Sequence, residues 1–170
     1  VWISRNWMHA AGRLIRQVPS LHSVEEVMVF TSPSIGRLYF DLLKRSLKQA
    51  GFSKVHRHDI PDGEQNKNFR QYGKCLRTLG SAFDNPQALP LVINLGGGVV
   101  GDLGGFVAAT FRRGVPYVQI PTTLLGCLDS SVGGKVDIDF EGTKYLIGQF
   151  YQPKLVFSDL LLLNTLELGQ

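Results

Sequence analysis

Short apolar runs alternate with amphipathic segments along the first 120 residues of the chain. Apolar positions recur at helical spacing over 33–50, and Gly51 follows as a stop signal. A continuous apolar run at 27–30 precedes this segment, and a run of alternating apolar and polar residues at 54–60 follows it. The pattern therefore predicts a strand, a helix and a second strand in that order.

The same alternation continues further along the chain. A second helical segment is predicted at 65–83, and mainly apolar runs at 89–95 and 117–120 predict two more strands. Mainly apolar strands that alternate with helices are typical of parallel sheets covered on both faces. We therefore expect an α/β fold, a Rossmann-like parallel sheet with helices on both faces.

The segment 124–148 has a different character, because small residues and turn signals dominate it. We expect a long glycine-rich loop and a hairpin region there, near the C-terminal end of the chain. Long structured loops in a compact domain usually carry function.

The composition is that of one folded domain spanning residues 1–170. Hydrophobic residues make up 44% of the chain and charged residues 19%, which suffices for one core without disulfides or a structural metal. Cys75 and Cys127 form no paired motif and are expected to be buried free thiols. We expect no membrane span, because no apolar run reaches about 18 residues. The first residues carry no secretion signal, and a cytoplasmic location is expected.

Charge is distributed unevenly along the chain. Residues 1–77 carry thirteen Lys and Arg against six Asp and Glu, whereas the remainder has an acidic excess. The basic residues are spread over predicted polar helix faces without interleaved aromatic residues, so we expect no nucleic-acid partner. His56 and His58 share one strand face, but no third ligand type lies near them in sequence. No metal site is therefore predicted within this chain.

The strand predicted at 89–95 runs directly into a glycine-rich turn. Gly96, Gly98 and Gly101 satisfy the pattern G-x-G-x-x-G, and Asp102 follows immediately. Glycines at such a point let the backbone approach a ligand, and the N–H groups at the start of the next helix suit a phosphate. The turn follows a later strand and no acid ends the strand at 117–120, which argues against an ordinary Rossmann fingerprint. Close packing of helix on sheet also explains the glycines, but it does not explain Asp102.

Further candidates for chemistry follow this turn. They are interleaved with glycine turns at the carboxyl ends of predicted strands, where open α/β sheets bind ligands. Cationic side chains in such a place suit a phosphorylated, anionic small molecule. Each of them alone is typical of a solvated surface, so the interpretation depends on the whole set. The set consists of Arg112, Arg113, Thr122, Thr123, Asp129, Lys135 and Lys144.

Several segments of the chain occur in an order that matches a known family. They are Pro61-Asp62-Gly63-Glu64-Gln65 with Lys67, Gly96-Gly97-Gly98-Val99-Val100-Gly101-Asp102, Arg113-Gly114-Val115, Pro121-Thr122-Thr123-Leu124-Leu125, Asp129-Ser130-Ser131-Val132-Gly133-Gly134-Lys135 and Gly148-Gln149-Phe150-Tyr151-Gln152-Pro153. With these segments, most of the chain resembles the amino-terminal nucleotide-binding domain of the 3-dehydroquinate synthases.

The resemblance implies that the chain binds NAD as cofactor. The implied contacts are Asp62, Glu64 and Lys67 at the adenosine ribose, Gly97, Gly98, Val99 and Asp102 at the pyrophosphate and nicotinamide side, and Thr122, Thr123 and Thr165 elsewhere on the cofactor. Residues 162–165 would close over it.

The resemblance also implies a substrate and a reaction. Arg113, Lys135 and Lys144 would face the carboxylate and phosphate of the substrate, and Asp129 would fix its hydroxyls. The family converts 3-deoxy-D-arabino-heptulosonate 7-phosphate to 3-dehydroquinate and phosphate, in the shikimate pathway to aromatic amino acids. NAD transiently oxidises a ring hydroxyl, phosphate is eliminated, the ketone is reduced again, and the opened ring closes by an aldol step.

In the family, a metal-binding glutamate and two histidines belong to a carboxy-terminal helical domain, which would follow Glu167. We therefore expect the zinc or cobalt ion of the complete enzyme to be bound outside residues 1–170. By the same reasoning, this chain alone would bind NAD without turning over substrate. The resemblance further implies that the complete enzyme is a homodimer.

Four positions depart from the family pattern. Thr143 stands where the family has Gly, and Tyr145 stands where it has Asn beside the lysine. Ser32 and Ser34 stand where Asp and Asn often follow the first nucleotide-binding strand. Two alternatives therefore stay open, a sister sugar-phosphate cyclase of the same superfamily and a stand-alone, non-catalytic nucleotide-binding module.

Overall fold

The computed structural model describes residues 1–85 and 89–165, which form a six-stranded sheet and a separate two-stranded hairpin. The sheet contains β1 (Trp2–Ser4), β2 (Glu26–Thr31), β3 (Lys54–Asp59), β4 (Leu91–Gly96), β5 (Tyr117–Pro121) and β8 (Leu155–Asp159), and the hairpin contains β6 (Lys135–Phe140) and β7 (Thr143–Phe150). The sheet order is β1-β8-β5-β4-β2-β3, and every neighbouring pair is parallel. Glu167, after which a second domain was expected, lies outside the described residues.

Helices cover both faces of the sheet, as the sequence predicts. They are α1 (Ala11–Arg16), α2 (Pro33–Gln49), α3 (Phe69–Ala82) and α4 (Gly98–Thr110). Successive residues of β2 point to opposite faces, so Val27 and Val29 pack in one core with α1 and α2, while Met28 and Phe30 pack in the other with α3 and α4. The two-layered core confirms the predicted α/β class.

The order of the strands creates a crevice at one edge of the sheet. Strands β2 and β4 are neighbours, but the helices that follow them, α2 and α4, lie on opposite faces of the sheet. In open parallel sheets, ligands bind where neighbouring strands send their chains to opposite faces, beyond the carboxyl ends. The glycine-rich turn after β4 lies at this point.

The predicted helix at 65–83 begins later than the sequence indicates. Residues Glu64–Asn66 form a 3-10 turn, and α3 starts only at Phe69. The reason is a side-chain cap, because Asn68 Oδ1 accepts a hydrogen bond from the Gln71 N–H at 3.0 Å. This late start leaves Lys67 outside the helix.

The region 124–148 is more regular than a long loop. Residues Gly126–Ser130 form a π-helical turn, and the hairpin β6–β7 follows it. Glu141 and Gly142 both adopt positive φ values, of 49° and 78°, which is the geometry of a two-residue hairpin turn. The expected hairpin region is therefore present, and it occupies most of the segment.

The two cysteines differ in their surroundings. Cys75 is buried and free, as expected, whereas Cys127 is free but only partly buried, because the π-helical turn that carries it lies at the surface. No helix in residues 1–85 and 89–165 is long and apolar enough to cross a bilayer.

Candidate functional site

A cavity of about 480 Å³ lies between the start of α4, the π-helical turn and the hairpin. Its lining residues are Glu64, Lys67, Gly98, Asp102, Leu125, Asp129, Ser130, Gly133, Lys135, Asp137 and Tyr145. Six of them, Glu64, Lys67, Gly98, Asp102, Asp129 and Lys135, are site residues predicted from the sequence. The fold therefore brings together residues from four separate segments of the chain.

The glycines at the start of α4 serve different purposes. A Cβ atom on Gly97 would lie 2.9 Å from Thr123 Cγ2, so close packing requires glycine there. A Cβ on Gly98 would meet nothing nearer than Ser130 Oγ, at 3.8 Å. Packing alone does not explain Gly98, whose missing side chain leaves the helix N-terminus open to the cavity. Val99 packs its side chain partly against the core, so the turn offers its backbone N–H.

Lys67 is the centre of the charged network in the cavity. Its side chain is only 1% exposed, and its Nζ donates to Asp137 Oδ1 at 2.9 Å and to Asp102 Oδ2 at 3.2 Å. Glu64 Oε1 lies farther away, at 3.7 Å. The resemblance groups Lys67 with Asp62 at the adenosine ribose, whereas the structure bonds its ammonium to Asp102. Lys67 therefore lies with the residues expected at the nicotinamide side.

The carboxyl group of Asp102 has a pKa well above the usual value for an aspartate. Burial raises its pKa to about 6, and the neighbouring Asp137 carboxylate acts in the same direction. The Lys67 ammonium acts to lower the pKa of Asp102, but burial is the largest contribution and outweighs it. The two carboxylates in turn raise the pKa of Lys67, although its burial acts against that rise. An acid perturbed in this way within a cleft is a candidate for a functional role.

Asp137 is the residue that sequence analysis missed. Its side chain is 15% exposed and makes the shorter of the two Lys67 contacts. A signal existed in the alternation of Lys135, Asp137 and Asp139, which places three charged side chains on one strand face. The sequence predicts a hairpin region here, but this alternation of charged residues was not singled out as a site.

Asp129 and Lys135 also line the cavity, and both are exposed. The π-helical turn that holds Asp129 is fixed at both ends: the Gly126 N–H donates to Thr123 Oγ1 at 3.1 Å, and Ser131 Oγ donates to the Gly126 carbonyl at 2.7 Å. Among the residues that the structure describes, Lys135 makes no ion pair. Its ammonium is thus available to an anion entering the cavity.

Asp62 belongs to a second polar cluster at the same edge of the sheet. Ser34 Oγ donates to Asp62 Oδ1 at 2.6 Å, and the hydroxyls of Ser32 and Ser34 are 2.9 Å apart. Partial burial acts to raise the pKa of Asp62, but hydrogen bonds from the two serines lower it below its usual value. The cluster follows the carboxyl ends of β2 and β3, which are parallel neighbours.

The predicted threonines occupy three different positions. Thr122 is fully buried, and its hydroxyl has no partner within the described part of the chain. Thr123 Oγ1 caps the π-helical turn. Thr165 Oγ1 lies 2.8 Å from the Tyr39 hydroxyl and donates to the Leu162 carbonyl, which ties the last described turn to α2.

Two predicted catalytic residues do not line the cavity. Arg113 is exposed in a 3-10 turn after α4, with a φ of 67°, and Lys144 is exposed on β7. Neither is among the lining residues. Arg113 and Lys144 thus lie outside the cavity that Asp129 and Lys135 line.

A family model described as 3-dehydroquinate synthase N-terminal matches residues 57–170 of the chain. The chain is 46% identical over 147 residues to a 3-dehydroquinate synthase of Geotalea uraniireducens, which covers 84% of this chain and 39% of the relative. It is 40% identical over 168 residues to a 3-dehydroquinate synthase of Clostridium acetobutylicum, which covers 99% of this chain and 46% of the relative. The chain therefore spans less than half the length of these curated relatives.

A solved structure with the same fold is a 2-epi-5-epi-valiolone synthase from Streptomyces hygroscopicus, with NAD+ and Zn2+ bound. Its TM-score is 0.76 at 25% identity, covering 97% of this chain and 44% of the other.

Proposed function

The chain belongs to the 3-dehydroquinate synthase family, and on that premise we propose that it is the NAD-binding part of an enzyme converting 3-deoxy-D-arabino-heptulosonate 7-phosphate to 3-dehydroquinate and phosphate. The proposed role of this chain is to hold the cofactor and to form one wall of the substrate pocket. The relatives are more than twice as long, so the opposite wall would come from a further domain.

The proposal rests on one observation: Gly98 and the Lys67–Asp102 pair line the same cavity. Gly98 leaves the N-terminus of α4 open, and the N–H groups of a first helical turn favour a pyrophosphate. Asp102, one turn further along, presents a carboxylate at the cavity wall, close to where the far end of a dinucleotide would lie.

The residues of this chain fit NAD at two further places. The Asp62 and Ser34 cluster offers a carboxylate to ribose hydroxyls, in the role that an acid plays in dinucleotide-binding folds. The unpartnered, buried hydroxyl of Thr122 lies one residue after β5, where a cofactor group would supply the missing hydrogen bond. When bound, NAD would supply a reversible hydride acceptor for the ring hydroxyl.

The substrate would bind at the part of the cavity that Asp129 and Lys135 line. Lys135 would bind its phosphate or carboxylate through a charge-assisted hydrogen bond, and Asp129 would accept hydrogen bonds from its hydroxyls. Arg113 and Lys144, which the resemblance also assigns to the substrate, would contribute only from outside this cavity. The cavity walls would orient the ring and exclude water from it.

Within the described residues we find no site for the metal ion of the proposed reaction. Among residues 1–85 and 89–165 no three His, Cys, Asp or Glu side chains are grouped to hold an ion. His56 and His58 lie on β3, where Phe83 and Thr78 contact them. We therefore assign no step to a metal here, and we propose that a further domain of the complete enzyme binds it.

Calorimetric titration of the 170-residue chain with NAD tests the proposal. We expect binding by the wild type and at least tenfold weaker binding by Gly98→Val, because its side chain would fill the space before the helix N-terminus. Gly80→Ala is the matched control, since a Cβ there meets nothing within 4 Å. Absence of binding at millimolar NAD would refute the cofactor assignment, and phosphate release from the heptulosonate by this chain alone would refute its dependence on a second domain.

A further inference from the structure

We propose that Tyr145 is a positioning residue, which holds the Lys67 ammonium against Asp102 and Asp137 by covering it with the face of its aromatic ring. Lys67 Nζ lies 4.1 Å from the centroid of the Tyr145 ring, within the distance at which a cation is attracted to a ring face. Tyr145 is 61% exposed overall and lines the cavity, whereas the lysine is buried. The ring therefore stands between Lys67 and solvent.

The backbone of the hairpin is distorted in a way that aims this ring. Tyr145 has a φ of 58°, a conformation that bulky residues rarely adopt and that persists only where surrounding contacts impose it. The strand register shifts here: Ile138 pairs with Ile147, whereas Phe140 pairs with Thr143. Residues 144–146 thus bulge opposite Asp139 alone.

Asp139 connects this bulge to Lys67. Its Oδ1 accepts a hydrogen bond from the Tyr145 N–H at 2.9 Å, and its own N–H donates to the Lys67 carbonyl at 2.8 Å. One residue thereby fixes the backbone of both partners of the ring contact. The Lys67 ammonium is consequently held over the Tyr145 ring, although the two residues are 78 positions apart in sequence.

This arrangement decides which lysine serves a ligand. With two carboxylates and a ring around it, the Lys67 ammonium is satisfied internally and is not available to an incoming anion. Lys135, exposed on the same cavity, takes that role. Loss of the ring would admit water to Lys67 and loosen its hold on Asp102, whose direction in the cavity would no longer be fixed.

The direct test is the proton NMR spectrum of the Lys67 side chain in the 170-residue chain. Protons over an aromatic face are shifted upfield, and the Lys67 signal is identified as the one absent from Lys67→Arg. We expect the upfield shift to persist in Tyr145→Phe, which keeps the ring, and to vanish in Tyr145→Leu and Tyr145→Asn. The asparagine variant suits the positive φ, so it provides a ring-free protein without backbone strain. Persistence of the shift in both ring-free variants would refute the contact.

The functional arm measures NAD affinity by calorimetry, and only this arm rests on the proposed function. Both ring-free variants should bind NAD about threefold or more weakly than wild type, and Tyr145→Phe should bind as wild type does. Equal affinity in all four proteins, or equal loss in Tyr145→Phe and Tyr145→Leu, would refute the positioning role. If the wild type binds no NAD, the cofactor assignment fails, while the Lys67 signal still decides whether the ring holds the ammonium.

Discussion

Lys67 Nζ lies 3.2 Å from Asp102 Oδ2, across 35 residues of sequence, and the same ammonium lies closer still to Asp137. The pair therefore stabilises the ionised form of Asp102 only in part. Its carboxyl keeps a pKa of about 6, against 3.8 in an unfolded chain. The ionised Asp102 carboxylate, which the proposed function uses, is therefore expected to lower the stability of the folded chain.

The first prediction is that Asp102→Asn stabilises the chain at neutral pH. The folded state holds the Asp102 proton more tightly than the unfolded state, so this group's contribution to stability falls as pH rises from about 4 to about 6. Above that window the ionised group costs on the order of 2–3 kcal/mol, which asparagine avoids. Urea unfolding at pH 4 and pH 8 should show the variant gaining on wild type only at pH 8. A loss above about 1 kcal/mol at pH 8 would instead mean that the Lys67 contact outweighs burial.

The second prediction concerns the two lysines expected at the substrate. Lys135 lines the cavity and Lys144 does not. A charge-assisted contact contributes roughly 1.5–3 kcal/mol, so Lys135→Ala should lower kcat/KM of the complete enzyme at least tenfold. Lys144→Ala, as the matched control, should lower it less. The reverse order of effects would show that the substrate lies on the outer face of the hairpin.

The third prediction separates packing glycines from ligand glycines. A Cβ on Gly104 would overlap the buried Asn94 side chain, so in Gly104→Ala either that side chain or α4 must shift, which should cost about 1–3 kcal/mol of stability. A Cβ on Gly98 would make only an ordinary contact with Ser130 Oγ, at 3.8 Å, so Gly98→Ala should leave the melting temperature unchanged or raise it slightly. Differential scanning calorimetry of the two variants measures both effects. Equal destabilisation by the two substitutions would show that Gly98 also serves packing.

The fourth prediction concerns the N-terminal segment. The buried carboxylate of Asp159 accepts hydrogen bonds from the N–H groups of Asn6, Trp7 and Met8, at 2.7, 2.6 and 2.9 Å. Asp159→Ala leaves these donors without an acceptor and should cost about 2–4 kcal/mol, measured by urea unfolding. Because Asp159 lies outside the cavity, the NAD affinity of the folded variant should equal that of the wild type. A stability change below about 0.5 kcal/mol would indicate that the segment is held by strand pairing alone.

Much of the fold was predictable because local patterns and tertiary structure agree there. The helical spacing over 33–50 with Gly51 as a stop signal predicts α2, and the structure adds that Ser32 Oγ caps this helix at the Ile35 N–H. The apolar run before the glycine turn became β4, which is buried at every position. The start of α3 was misplaced, because a polar run that includes Glu64 and Gln65 is compatible with both a helix and a turn until a cap selects one.

By itself, the sequence determined the α/β class, the glycine turn and most of the residues that meet at the cavity, because hydrophobic periodicity and motif order are local properties of the chain. Only the tertiary structure decided what each of them contacts. The Lys67 ammonium donates to Asp102 and Asp137, and the Tyr145 ring covers the same ammonium. Arg113 and Lys144 lie outside the cavity. The physical reason is that these contacts depend on a cap at Asn68 and on a hairpin bulge at Asp139. Such features fix a side chain's direction through distant backbone hydrogen bonds, which no pattern along the chain records.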